Sequence, residues 1–358
     1  MVSDLEMEYR AYTFRKLIII FVFLIGIFIA AGISLSINGM DIGFWDCYNY
    51  VWNHIIGTEY ELRTPEWRAD YMLWNIRLPR IIMAIIVGIG LASCGVAMQS
   101  LMSNPLADPY TVGISDGACF GAVSAIVMGF TLTTALSSMG VVISAFIGGL
   151  IPAIIIIILS RIVNLTPATA ILVGIALSYI FSGMETVVMT STDADTLKAA
   201  YLWQIGTLNG ATWEKCLIPA IITAVCSAFL LFSSKNLNLL VLGDESAKSL
   251  GLNVDQFRFL CMIVVSVTVA ALVSYVGIIG FVGLIIPHVI RMIVGANTKF
   301  LIPASMLGGA LFLLVADLIS RTVVYPDELR VGLVASIIGS PIFLYIILKK
   351  KQRYGEVF

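Results

Sequence analysis

The sequence predicts an all-α polytopic membrane protein with about ten transmembrane helices, and three observations carry that reading. Hydrophobic residues make up 59% of the 358 residues and charged residues only 12%, where a soluble domain carries about 25% charged. The mean hydropathy is +0.99. The apolar residues also fall into runs close to the ~20 residues that span a bilayer. No low-complexity linker divides the chain, so residues 1–358 read as a single transmembrane domain.

In chain order the runs lie near 17–37, 81–101, 113–131, 139–159, 168–190, 217–233, 259–278, 280–296, 303–320 and 333–348. The first is longer than the ~7–15-residue apolar stretch of a signal peptide and reads as a span. In the second, Gly88, Gly90, Ala92, Gly95 and Ala97 make small faces that let helices approach closely. Similar faces recur at Gly148-Gly149 and Gly308-Gly309-Ala310. Gln99 is polar at membrane depth, and Asn104-Pro105 breaks the helix. The eighth run, GIIGFVGLIIPHVIR at 277–291, contains Gly283 and is expected to break at Pro287. Close packing explains the small residues. A broken, polar helix end can also line a cavity, because irregular backbone at that depth is tolerated only inside protein or water.

Basic residues orient the chain. With both termini cytoplasmic, 13 of the 21 Lys and Arg fall on the inner side against 8 on the outer, as the positive-inside rule expects. The run Lys349-Lys350-Lys351 after the last span weighs most. All six tryptophans (Trp45, Trp52, Trp67, Trp74, Trp203 and Trp213) then lie outside, as interface anchors or partner contacts. The outer segment 38–76 carries Asp41, Asp46, Glu59, Glu61, Glu66 and Asp70 against Arg63 and Arg68, and reads as a cap of short helices.

On the inner side, 239–258 (LLVLGDESAKSLGLNVDQFR) is a polar island between apolar runs. Gly243-Asp244 supplies a helix start, Glu245 and Lys248 sit one turn apart, and Gly251 stands where a left-handed stop belongs. Ala247 and Leu250 are its small apolar contacts. Such a helix is too short to be stable alone and is expected to dock into a partner.

At the outer side, Arg77-Leu78-Pro79-Arg80 runs against the positive-inside trend. Arg77 and Arg80, joined by Arg321, are read as outward-pointing cations that recruit acidic groups of a soluble partner, or as snorkelling side chains. Asp317 and Arg321 are four apart on one helix face, which an internal ion pair also explains. Glu185 is another acid within an apolar run. His288 reads as a structural histidine, and the six cysteines as small buried hydrophobes without metal-ligand spacing. Cys47 and Cys216 share the outer side, which leaves a disulfide open. A net charge of −1 gives no nucleic-acid footprint.

RLPR at 77–80, NPLADP at 104–109, LWQIGTLNGATW at 202–213, LGDESAKSLGL at 242–252, GFVGLIIPH at 280–288, AD-x-x-x-R at 316–321 and GSPIFLYIIL at 339–348 run collinearly from about 17 to 350. The chain thereby resembles the FecCD-type permeases of iron-siderophore, haem and vitamin B12 ABC importers. The resemblance implies a vitamin B12 permease-like fold of the type II importers and a homodimer in the cell (inner) membrane. It also implies two ATPase subunits on separate chains, where ATP and Mg would reside, and an extracytoplasmic substrate-binding protein. Gly243, Asp244, Glu245, Ala247, Leu250 and Gly251 carry over as the ATPase-coupling element. Arg77, Arg80 and Arg321 carry over as the docking points for glutamates of the binding protein. Gln99, Asn104, Pro105, Gly283 and Pro287 are expected along the translocation path. The cargo would be a metal chelate: ferric siderophore, haem or corrinoid.

The chain departs from the family at Arg330, where Pro is common after Glu-Leu, and at Asn297-Thr298-Lys299, where an acid-His-Arg run is usual. Segment 38–76 is also longer than the family leads one to expect. No G-x-x-x-x-G-K-[ST] loop occurs, so ATP hydrolysis belongs to a partner, and neither HExxH nor GxSxG marks an enzyme. An ion-coupled secondary transporter is the alternative, although it has no need of the docking helix.

Overall fold

The ten apolar runs of the sequence all become helices. The computed structural model describes residues 2–37, 42–129, 137–162 and 167–354. Asp41, and the side chains of the Lys349-Lys350-Lys351 run, lie outside the described residues. The helices are α1 (Val2–Ser36), α2 (Phe44–Ile55), α3 (Pro65–Met72), α4 (Leu78–Leu101), α5 (Ile114–Val127), α6 (Ser137–Ile162), α7 (Pro167–Thr190) and α8 (Ala194–Gln204). They continue as α9 (Trp213–Phe232), α10 (Ser234–Val241), α11 (Asp244–Ser249), α12 (Val254–Val276), α13 (Val282–Val294), α14 (Thr298–Thr322) and α15 (Val331–Tyr354). Among the described residues, eight segments are long and apolar enough to cross a membrane, and α5 and α13 are shorter apolar helices of 14 and 13 residues.

Helix α4 is the centre of the bundle: from Val87 to Leu101 only Ile89 is not a buried or glycine position. It packs against α9, α12, α13 and α14. Glycines set these distances, as the small faces predict. A Cβ on Gly88 would lie 2.4 Å from the Gly309 carbonyl oxygen of α14, and one on Gly95 would lie 1.9 Å from the Gly283 oxygen of α13. The same device joins α5 to α6, where a Cβ on Gly117 would lie 2.4 Å from the Gly148 oxygen. Backbones this close gain van der Waals contact that bulkier residues would prevent. Helices α1, α7 and α15 are largely exposed along their apolar lengths.

The expected break at Pro287 is not where the chain breaks. Helix α13 runs through Pro287, and the interruption lies before it, at 277–281. Gly277 takes φ 73° there, a conformation open to glycine at little cost. The freed backbone groups pair with other segments rather than with a helix. Gly206 N donates to Ile278 O (2.9 Å), Thr207 N to Val276 O (2.8 Å) and Gly332 N to Gly206 O (2.9 Å). Three chain segments thus satisfy one another's backbone inside the protein, as apolar surroundings demand.

Segment 42–76 forms the expected cap of short helices, α2 and α3. Tyr48 stacks on Phe28 of α1 at 4.5 Å, and Trp74 packs between His54 (4.1 Å) and Trp213 (5.2 Å). All six cysteines are buried and free, so Cys47 and Cys216 do not pair.

Candidate functional site

Three clusters hold the residues singled out by the sequence. The first is the polar loop. Helix α11 has six residues, with Gly243 (φ 96°) as its N-cap. Its end is a Schellman stop: Gly251 (φ 88°) donates to Lys248 O (3.0 Å), and Leu252 donates to Ala247 O (3.1 Å). The helix starts at Gly243-Asp244 as expected, and two side-chain contacts tie it to α12. Asp244 makes no cap; both its oxygens accept from Arg258, at 2.8 and 3.0 Å. Lys248 sits 3.5 Å from Asp255 rather than beside Glu245. Ala247 is fully buried and joins the core, so it is closed to any partner, whereas Leu250 (61% exposed) and Leu242 (62%) project outward. Within α11 Ala247 alone is buried, while Glu245, Ser246, Lys248 and Ser249 are exposed.

The Arg258 guanidinium holds the Asp244 carboxyl below the usual carboxylate range. A depressed folded pKa means that the pair's stabilisation is complete above the unfolded value of about 3.9 and is lost as pH falls through the folded one. Amide exchange at Ala247, which donates to Gly243 O (2.9 Å), is therefore expected to stay protected down to about pH 5 and to loosen only below about pH 4. Loosening near neutral pH would show that the pair does not hold the loop.

Helix α10 anchors this loop to the bundle. Thr298 of α14 donates through Oγ1 to Ser234 O (2.5 Å) and through N to Asn238 Oδ1 (2.9 Å), and Ser103 Oγ donates to Leu240 O (3.4 Å).

The second cluster is the α4–α13 junction. Gln99 Nε2 donates to Leu284 O (3.1 Å), and Gln99 Oε1 accepts from Arg291 Nη2 (2.8 Å). Arg291 is the member that sequence reading missed, because it counted there only as an inner basic residue. Gln99, Gly283 and Pro287 are buried in this junction, where the Gly95 and Gly283 backbones approach closely. Asn104 and Pro105 are half-exposed in the turn after α4, where Asn104 Oδ1 accepts from Leu106 N (2.9 Å). His288 is buried on α13. Elsewhere within the bundle, Asp116 accepts from Ser178 Oγ (2.7 Å), and Glu185 lies half-exposed on α7.

The third cluster lies at the end of the bundle that carries α2, α3 and α8, here called the outer end. Arg77, Arg80 and Arg321 are gathered there, as expected, but they are 5%, 8% and 6% exposed. Asp317, fully buried, binds two of them. Arg80 Nε donates to its Oδ1 at 2.9 Å, and Arg321 Nε forms an ion pair at 3.2 Å with its Oδ2, without hydrogen-bond alignment. Arg80 also reaches Glu328 (2.8 Å), Arg321 reaches Ser34, and Arg77 donates to the Leu35 carbonyl. The internal ion pair read from the Asp317/Arg321 spacing is present. The outward-pointing cations are not: charge at this depth is costly unless paired, so the fold turns the arginines onto its own acceptors.

Known proteins share this architecture. The hemin transport system permease of Yersinia pestis is 40% identical over 80% of this chain and 86% of its own. The cobalamin import system permease of Halobacterium salinarum is 37% identical over 80% of this chain and 75% of its own. A solved chain described as of the metal-chelate type of ABC transporter, in an inward-facing conformation, is 31% identical. It superposes with a TM-score of 0.80 over 92% of this chain and 99% of that one. Residues 17–349, from within α1 to within α15, match the FecCD transport family. The chain therefore belongs to the FecCD transport family and is an ABC transporter permease.

Proposed function

We propose that this chain is the membrane-spanning subunit of an ATP-driven importer that moves a metal chelate handed over by an extracytoplasmic binding protein. One observation carries the reading: Leu242 and Leu250, on either side of a six-residue helix, are exposed to solvent, while α10 just before it is hydrogen-bonded to α14 and to the turn after α4. An ATPase cleft that grips those two leucines can move both elements. The largely exposed α7 and α15 suit a second copy of the chain, giving a homodimer around a central path. Both termini and the loop lie on the cytoplasmic side, the cap lies outside, and 1–358 acts as one permease domain. Catalysis, with ATP and Mg, belongs to the partner ATPase. Haem and corrinoids are the cargo classes that its relatives support, with ferric siderophores beside them.

Assembly with the ATPase tests this reading. Leu250→Asp is expected to weaken co-purification of the ATPase about tenfold or more, as burying a carboxylate in an apolar contact does. Folding should be unchanged, since Leu250 is exposed. Wild-type assembly by the variant would remove the loop from the interface.

A further inference from the structure

The end of the bundle opposite the cap holds a buried cation that no hydrogen bond claims. Lys16, on α1 one turn inside the span that begins at Tyr12, is 3% exposed. Its Nζ stands 3.7 Å from the centroid of the Tyr12 ring and 4.7 Å from that of Phe300 on α14. A Cβ on Gly295, just past α13, would lie 3.8 Å from the same nitrogen. Three helices therefore meet around one ammonium. Among the described residues Lys16 Nζ has no hydrogen-bond partner, and neither has the buried Thr13 Oγ1 one turn earlier on α1.

Two rings and the negative end of the α13 dipole attract this charge, but they accept none of its three N–H groups. A buried cation held that way is costly, and its surroundings add to the cost. Lys299 Nζ stands over the same Phe300 ring at 5.7 Å, and Arg15, Lys235 and Lys299 are exposed at this end. Helices α10 and α13 and the first turn of α14 carry no acid. The chemistry of the cluster calls for an anion. Apolar surface adjoins it: Leu17, Ile18 and Phe21 on α1, and Met292 and Ile293 at the end of α13, are exposed.

We propose that Lys16, with Arg15 and Lys299, binds the phosphate of an anionic phospholipid whose acyl chains lie along the exposed apolar residues of α1 and α13. Basic pockets between transmembrane helices are sites for lipid phosphates. A phosphate oxygen accepts from an ammonium in a charge-assisted hydrogen bond, about twice as strong as a neutral one. Tyr12 is exposed and forms the outer cover of Lys16 Nζ, so a change of its rotamer admits the headgroup. Three cations against one phosphodiester favour a headgroup of net negative charge over a zwitterion. The apolar neighbours favour a lipid over inorganic phosphate. The bound lipid then ties α1, which is largely exposed, to α13 and α14.

The test uses the full chain, delipidated in a non-ionic detergent. Thermal unfolding is followed with added phosphatidylglycerol, with phosphatidylcholine of the same acyl chains, or with inorganic phosphate. Phosphatidylglycerol is expected to raise the unfolding temperature at concentrations where the other two do not. In Lys16→Gln the concentration needed should rise about fivefold, the effect of one lysine at a lipid surface. Lys198→Gln, exposed on α8 at the opposite end, should match wild type. A Lys16→Gln protein that responds to phosphatidylglycerol as wild type does overturns the site. Arg15→Gln combined with Lys299→Gln changes only exposed residues, so its folding should be intact, and it should weaken the response as well. An unchanged response in that double variant overturns the site in its own right. An equal response of wild type to phosphatidylcholine or to inorganic phosphate overturns the assigned occupant.

Discussion

Asp317→Ala is expected to destabilise the protein by about 3–5 kcal/mol, the cost of removing one partner from a buried ion pair. Asp317 is fully buried and is the shared counter-ion of Arg80 and Arg321, so its loss removes the one buried negative charge between two guanidinium groups. Glu328 cannot replace it: its side chain is 37% exposed, and it touches Arg80 alone. Glu328→Ala should therefore cost under about 1 kcal/mol, as exposed pairs do. Removing all three charges, as Asp317→Leu with Arg80→Leu and Arg321→Leu, should recover much of the loss, because buried ion pairs replaced by apolar groups are often neutral. Thermal unfolding in detergent compares the four proteins. An Asp317→Ala variant as stable as Glu328→Ala would mean that the arginines are held by something other than this carboxylate.

Gly95→Ala is expected to cost about 3 kcal/mol, the upper end for overpacking a tight core. The added Cβ would stand 1.9 Å from the Gly283 oxygen and 2.9 Å from its Cα. Both are backbone atoms, so no rotamer change relieves the clash. Helix α13 must move away from α4, which pulls Leu284 and Arg291 off Gln99 one turn along the same interface. Gly183→Ala in α7 is the control. Nothing lies within 4 Å of its Cβ, and alanine in a helix is favoured over glycine by up to about 1 kcal/mol. Equal stability of the two variants would mean that the α4–α13 approach is looser than described.

Features set by local chemistry were legible in the sequence. The small faces around Gly88 and Gly309 announce close helix contacts, and Gly251 announces the stop of α11 because only a left-handed residue closes it. Features set by long-range partners were not. Both Gly277 and Pro287 signal a break, and the choice falls to Gly277 because Gly206 supplies the hydrogen bond there. Spacing also gives no sign that Arg291, far along the chain, is the donor to Gln99. Ala247 and Leu250 lie three residues apart with similar chemistry, yet one is buried and the other exposed. Spacing alone does not say which face of a short helix meets its own bundle.

Uptake into proteoliposomes measures the central claim directly. The chain would be reconstituted with its ATPase and binding protein and supplied with a labelled ferric siderophore or haem, with no ion gradient. Accumulation that requires ATP and the binding protein, and that Leu250→Asp abolishes, is the predicted result. Accumulation driven by a proton or sodium gradient, without the ATPase, would contradict it.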